Sequence, residues 1–168
     1  MRYNFFYDYI KRRVWFVKLN ARHLTVDLYN CKNSQLTDIE LIKETLKKSL
    51  SLHGASLISL CCEKVGEGHH ALMGIWEEGH ISLQIYGELR YVAMDIFLCK
   101  ENAQPEAISK AMRAFFKPDK TKTTLLKRGD FTSAKEIKPK VKTHVAPLRK
   151  IHNTGAKVIR ILARRNNN

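Results

Sequence analysis

Between residues 22 and 31 the chain alternates without interruption. Leu24, Val26 and Leu28 fall on one side, and His23, Thr25, Asp27 and Tyr29 fall on the other. Residues two apart on an extended backbone share a face, so this run reads as a strand with one dry side and one wet side. Residues 55–65, 71–76, 80–86 and 91–99 have similar strand character, and residues 121–126 add a short sixth strand. Gly66 and Gly68 mark the turn between the first two of these later runs. Chains of half-buried strands need something to cover the dry face, and two helical stretches supply it. Thr37-Asp38-Ile39-Glu40 has the pattern of a capping box, with Thr37 serving backbone donors and Glu40 reaching back. The helix it opens is expected over 37–53, with Ile39, Ile42, Leu46 and Leu50 on one stripe and Gly54 as the stop. Pro105 opens a second helix, expected over 105–117, with Ile108, Met112, Phe115 and Phe116 turned to the core. The order strand, helix, four strands, helix, strand predicts a two-layer α/β sandwich: a mainly antiparallel sheet with both helices on one face.

Composition bounds the reading. At 168 residues, 44% hydrophobic and 27% charged, the chain suits one domain with appendages and is too apolar to be wholly disordered. No apolar run approaches the roughly 20 residues of a membrane span. The first 18 residues have neither an apolar h-region nor a small-residue cleavage site, so no signal peptide is expected. A cytoplasmic, reducing location follows, with Cys31, Cys61, Cys62 and Cys99 as thiols. His69, His70 and His80 with Cys61 and Cys62 fit no usual zinc spacing, so no metal is expected.

The net charge of +14 is unevenly spread. Residues 129–168 hold ten Lys/Arg against two Asp/Glu, more than half the excess in a quarter of the chain. This divides the chain into an aromatic and basic front (1–21), a body (22–129) and a basic tail (130–168). Within the tail, residues 154–165 have helical spacing. In the front, Tyr3, Phe5, Phe6, Tyr7, Tyr9, Trp15 and Phe16 interleave with Arg2, Lys11, Arg12, Arg13 and Lys18. That mixture suits single-stranded nucleic acid, but no spaced motif accompanies it. The preferred reading is rings packed on the body with charges in water.

In the body, Arg22-His23-Leu24-Thr25-Val26-Asp27-Leu28-Tyr29-Asn30-Cys31, the following helix, Glu78-Gly79-His80-Ile81-Ser82-Leu83 and Asp95-Ile96-Phe97-Leu98-Cys99 occur in an order and spacing that resembles the bacterial S-adenosylmethionine decarboxylase family. The resemblance runs from about residue 22 to 129. It implies a proenzyme in which the serine of a Glu-Ser-His motif attacks the preceding peptide carbonyl. The chain breaks there, and the serine becomes an N-terminal pyruvoyl group. That group forms a Schiff base with the substrate and serves as the electron sink for decarboxylation.

Here the motif reads Glu78-Gly79-His80, and glycine has no nucleophile. The family histidine that assists cleavage falls at Gln84, and the assisting upstream serine falls at Ala71. The family's Trp-Pro-Glu is Tyr86-Gly87-Glu88. Other positions match. Glu88 falls where the family binds ribose hydroxyls, Cys99 where it has its catalytic proton donor, and Asp27 and Cys31 fit the first strand. Without the resemblance, Cys99 reads as packing and Glu88 as a solvated turn residue. Glu77-Glu78 is discounted as an acid/base pair, since neighbours on a strand point to opposite faces.

The resemblance thus implies a polyamine-biosynthesis homologue that cannot form its pyruvoyl group and needs no other cofactor. It would bind S-adenosylmethionine or a related adenosyl ligand, as a homodimer or beside a processed homologue. Two alternatives stand beside it. One is a pyruvoyl-independent lyase acting on S-adenosylmethionine, with carboxylates and Tyr86 orienting the sulfonium. The other is a basic nucleic-acid-binding protein that uses the fold as a scaffold, with the tail as the contact.

Overall fold

The structure, a computed structural model, describes residues 21–100, 102–129 and 138–146. The aromatic front and the helix expected over 154–165 lie outside these residues. The elements run β1 (Ala21–Cys31), α1 (Ile39–Leu52), β2 (Leu57–Gly66), β3 (His69–Trp76), β4 (Gly79–Tyr86), β5 (Tyr91–Cys99), α2 (Pro105–Phe116), β6 (Pro118–Arg128) and β7 (Lys140–Val145). The strands form one sheet in the order β2-β3-β4-β5-β1-β6-β7, and every neighbouring pair is antiparallel.

The period-two pattern decides which face is dry. Leu24, Val26 and Leu28 of β1, Ile81, Leu83 and Ile85 of β4, and Val92, Met94 and Ile96 of β5 are all buried. They meet Ile42, Leu46 and Leu50 of α1 and Ile108, Met112 and Phe116 of α2 in a single core. Both helices therefore cover the same face, as expected. The opposite face carries the alternate residues of each strand, half-buried and largely polar or aromatic. Among the described residues, no helix is long and apolar enough to cross a membrane.

The helix ends differ from expectation in one detail. Asp38, not Thr37, is the N-cap of α1, its carboxylate accepting from the Leu41 N–H at 3.1 Å. Glu40 pairs forward with Lys43 at 2.7 Å instead of reaching back. The cap sits one residue later because Asp38 stands three residues before Leu41 and so offers the same bridge to the third helical N–H. Thr37 turns its methyl toward the loop after β4, where a Cβ added to Gly87 would lie 2.6 Å from it. Gly54 ends α1 with φ +72°. Pro105 starts α2 as expected, and Arg22 braces that start through Glu106 at 2.6 Å and the Ala103 carbonyl.

Strand β7 is the larger departure. Residues 140–145 were assigned to a basic tail, yet they pair with Lys120–Leu125 of β6 and add an edge to the sheet. The alternation there is Lys-Val-Lys-Thr-His-Val, whose polar half hides it from a search for apolar strands.

Candidate functional site

The positions singled out by the sequence occupy two ends of the β4–β5 hairpin. At the first end, Glu77 and Glu78 form the two-residue turn between β3 and β4, with Trp76 paired to Gly79. The pair was expected on a strand; the turn still gives the two carboxylates no shared role. Glu78 instead binds Lys100 at 2.8 Å. The Lys100 ammonium holds the Glu78 carboxyl below the usual carboxylate range, and Glu78 in turn raises Lys100. The backbone carbonyl of Glu78 accepts from the Cys99 N–H at 2.7 Å. Cys99 ends β5 as a half-buried free thiol.

Gly79 begins β4 opposite Leu98. A Cβ built on it would lie 1.9 Å from the Phe97 carbonyl oxygen and 2.9 Å from its carbon. Both are backbone atoms of the neighbouring strand, so the two backbones run closer here than any side chain at 79 permits. His80 lies on the open face, its ring stacked on Phe97 at 5.3 Å between centroids. Arg128 lies over the same ring at 5.4 Å. His23 meets Phe97 edge-on and stands 3.6 Å from Asp95. A cavity of about 290 Å³ opens at this end on the helix side, bordered by Trp76, Glu78, Leu98, Lys100, Gln104 and Ile108. Neither Tyr86 nor Glu88 borders it.

At the second end, Gly87-Glu88-Leu89-Arg90 joins β4 to β5. Glu88 is exposed there, against Gly68 of the β2–β3 turn, whose carbonyl accepts from the Gly87 N–H at 2.8 Å. Tyr86 is sandwiched on the open face between His69, stacked at 4.2 Å, and Tyr91, at 5.9 Å. His69 Nε2 and Gln84 Oε1 are 2.8 Å apart. Ala71 pairs directly with Gln84, so the two positions matched to assisting residues are cross-strand neighbours. The Tyr91 hydroxyl donates to Asp27 at 2.6 Å. Burial first, and then Asp27, pushes the Tyr91 hydroxyl well above the ordinary tyrosine range. Cys31 is fully buried behind this end, and burial pushes its thiol up to about 12, which marks it as a packing residue.

The first end thus gathers Glu78, Gly79, His80 and Cys99, and the second gathers Ala71, Gln84, Tyr86 and Glu88. Seven residue steps of β4 separate Gly79 from Tyr86, a span of about 23 Å at ~3.3 Å per residue. Within one chain the two sets are not brought together. Sequence reading missed Lys100 and Tyr91, and weighed His69 only as a metal ligand. Lys100 follows Cys99 directly and was within reach of a charge-pair argument. His69 meets Tyr86 only through strand register, which no local pattern states.

A sheet of this order with two helices on one face defines the two-layer α/β class of the adenosylmethionine decarboxylases. The crystal structure of the adenosylmethionine decarboxylase from Aquifex aeolicus VF5 has the same fold: the TM-score is 0.56 at 18% identity, over 72% of this chain and 99% of that one. The family model for S-adenosylmethionine decarboxylase matches residues 22–129. The S-adenosylmethionine decarboxylase proenzyme of Methanococcus maripaludis is 32% identical over 113 residues, covering 67% of this chain and 93% of that one. That of Thermomicrobium roseum is 29% identical over 115 residues, covering 67% and 97%. The chain belongs to the S-adenosylmethionine decarboxylase family, whose members serve polyamine biosynthesis and use a self-generated pyruvoyl group rather than an external cofactor.

Proposed function

We propose that this chain is a family member that stays uncleaved and acts as an adenosyl-ligand-binding or regulatory homologue. The observation that carries the reading is Gly79. It has no hydroxyl to attack the Glu78 carbonyl, and that carbonyl is engaged by the Cys99 N–H at 2.7 Å. The 1.9 Å approach of the Phe97 oxygen to an added Cβ means that serine at 79 requires β4 and β5 to move apart. The residues present do not fit a pyruvoyl group, and no catalytic step is assigned to one.

The second end supports binding. Glu88 offers two carboxylate oxygens that suit the paired hydroxyls of a ribose, and charge-assisted bonds of this kind are worth roughly 1.5–3 kcal/mol. Tyr86, held between His69 and Tyr91, offers its ring edge and hydroxyl beside Glu88 to an adenosyl ligand. Cys99 keeps the position of a proton donor but lies at the first end. A second copy, or a processed relative, packed through the open face in the opposite direction would bring its first end beside Glu88 and Tyr86. The half-buried character of that face, with Met73 and Ile75 about two-fifths exposed, suits such a partner. The assembly we favour is therefore a homodimer or a heteromer whose site is shared.

Intact-mass measurement with calorimetric titration of S-adenosylmethionine tests this. The expected result is a single uncleaved mass, saturable binding, and a mass in solution of at least two chains. Two fragments split at Glu78–Gly79, with a pyruvoyl mass on the second, would overturn the reading. A monomer that binds with undiminished affinity would remove the shared site.

A further inference from the structure

Strand β7 lies beyond residues 22–129, so the surface it builds is not part of the family match. In the β6–β7 register His144 pairs with Thr121, Lys142 with Thr123 and Lys140 with Leu125. Directly paired residues share a face, and Thr121 is buried on the helix side. Lys140, Lys142 and His144 therefore line the helix side of β7, successive side chains about 6.8 Å apart. Lys110 and Arg113 of α2 and Lys117, which caps its C-terminus, follow one another at i, i+3 and i+7 over about 10 Å. Lys110, Arg113, Lys117 and His144 border one open cleft of about 400 Å³, and among the described residues no acidic one borders it. Asp119, beside Pro118 at its rim, is held by Lys32 at 2.7 Å and Asn30 at 3.1 Å.

Lysines on an edge strand are an ordinary guard against strand addition, and that accounts for β7 taken alone. It does not account for the basic stripe on α2, nor for Arg113, whose Nε is buried without a hydrogen-bond acceptor among the described residues. A buried guanidinium N–H without an acceptor is costly, and like charges gathered along one stripe repel one another. The repulsion falls if a polyanion lies in the cleft that Arg113 borders. The cleft is open, three cations run along its helix side, and Lys140 and Lys142 continue the basic face of β7 beyond His144, so a chain of phosphates fits it better than a single ion.

We propose that the cleft between α2 and β7 binds the phosphodiester backbone of a nucleic acid, without reading its bases. This is a second site, independent of the adenosyl reading. The flanking sequence has the same sign of charge, with Arg149, Lys150, Lys157, Arg160, Arg164 and Arg165 following β7.

The test uses the full chain and a labelled 25-base-pair DNA duplex, with binding followed by anisotropy between 50 and 300 mM salt. The variant is Lys110→Ala, Lys117→Ala and Lys142→Ala together, all exposed positions. A control of equal charge loss replaces the exposed Lys47, Lys48 and Lys64. The cleft variant should lose about tenfold or more in affinity at the lowest salt and about two to three units of slope in log K against log salt, at ~0.9 per phosphate contact. The control should change neither by more than a small fraction of that. Equal losses in the two variants would overturn the cleft assignment. No duplex binding by the wild type, or cleft-dependent binding to phosphatidylserine vesicles with none to the duplex, would overturn the choice of ligand. Thermal melts of both variants matching the wild type establish that folding is intact.

Discussion

The two ends of the β4–β5 hairpin are built from one pair of strands and have diverged in opposite ways. At the Gly79 end the backbones of β4 and β5 approach until no Cβ fits, and the peptide carbonyl before Gly79 is tied into the ladder. At the Glu88 end the turn opens outward, a carboxylate stands in solvent, and aromatic rings stack beside it. Self-cleavage needs a hydroxyl or thiol at position 79 and room around it, and Gly79 has neither. Recognition needs placed acceptors and flat surfaces, and the second end has both. The comparison teaches that the two ends of one strand pair can differ in packing independently, because about 23 Å of β-structure separates them.

The largest expected effect falls on the first end. Gly79→Ser should leave the chain uncleaved, since Gln84 and Ala71 still stand where the family has its assisting histidine and serine. It should also destabilise the fold by roughly 1–3 kcal/mol, the usual range for overpacking. Mass spectrometry and a thermal melt read the two outcomes. Efficient self-cleavage by this single variant would break the contrast between the ends. A melt identical to wild type would show that the strands part easily.

Next in size is the second end. Glu88→Gln should weaken S-adenosylmethionine binding about ten- to a hundredfold, each factor of ten being ~1.4 kcal/mol. Cys99→Ala should leave affinity nearly unchanged. Calorimetry on both variants sharpens the division between recognition and chemistry, and equal affinity of wild type and Glu88→Gln would remove the ribose assignment.

Tyr91→Phe is smaller still. It removes a donor from a partly exposed Asp27 and should cost about 1 kcal/mol at neutral pH. The native state holds the Tyr91 proton more tightly than the unfolded chain does. This stabilisation is complete below the ordinary tyrosine range and is lost as pH rises through the raised native value. Denaturant melts from pH 8 to 11 should show the wild type losing its advantage over Tyr91→Phe on the alkaline side. A gap that stays constant would show that the hydroxyl does not titrate with folding.

The smallest effect belongs to the Glu78–Lys100 pair. Because Lys100 depresses the Glu78 carboxyl, the stabilisation exists above the ordinary carboxylate range and disappears as pH falls through the native value. Glu78→Gln should lower the melting temperature by no more than about a degree at pH 7, as exposed pairs do, and by nothing at pH 3. A loss of many degrees would mean that the first end depends on this charge for its shape.

Much of the body was legible without coordinates, and the reason is local. Strand β1 declares itself because its apolar residues fall at every second position, and α1 because Ile42, Leu46 and Leu50 fall at every fourth. Both patterns are set by backbone geometry alone and need no knowledge of neighbours. Strand β7 was missed for the complementary reason. Its alternate residues are Lys140, Lys142 and His144, and its pairing with β6 is a contact across some twenty residues of sequence. The cap of α1 moved from Thr37 to Asp38 because two oxygens one residue apart compete for the same N–H groups, and only the incoming chain angle chooses between them.

The sequence by itself determined the antiparallel α/β class, the missing nucleophile at 79 and the excess of positive charge, since each depends on residue type and local spacing. The tertiary structure alone decided three other things: that Gly79 is pinned against the Phe97 carbonyl, that Glu88 lies far along the sheet from Cys99, and that His144 of β7 borders the same cleft as Lys110, Arg113 and Lys117. Each is a distance between residues remote in the chain, and such distances follow from strand register and helix packing, which no local pattern encodes.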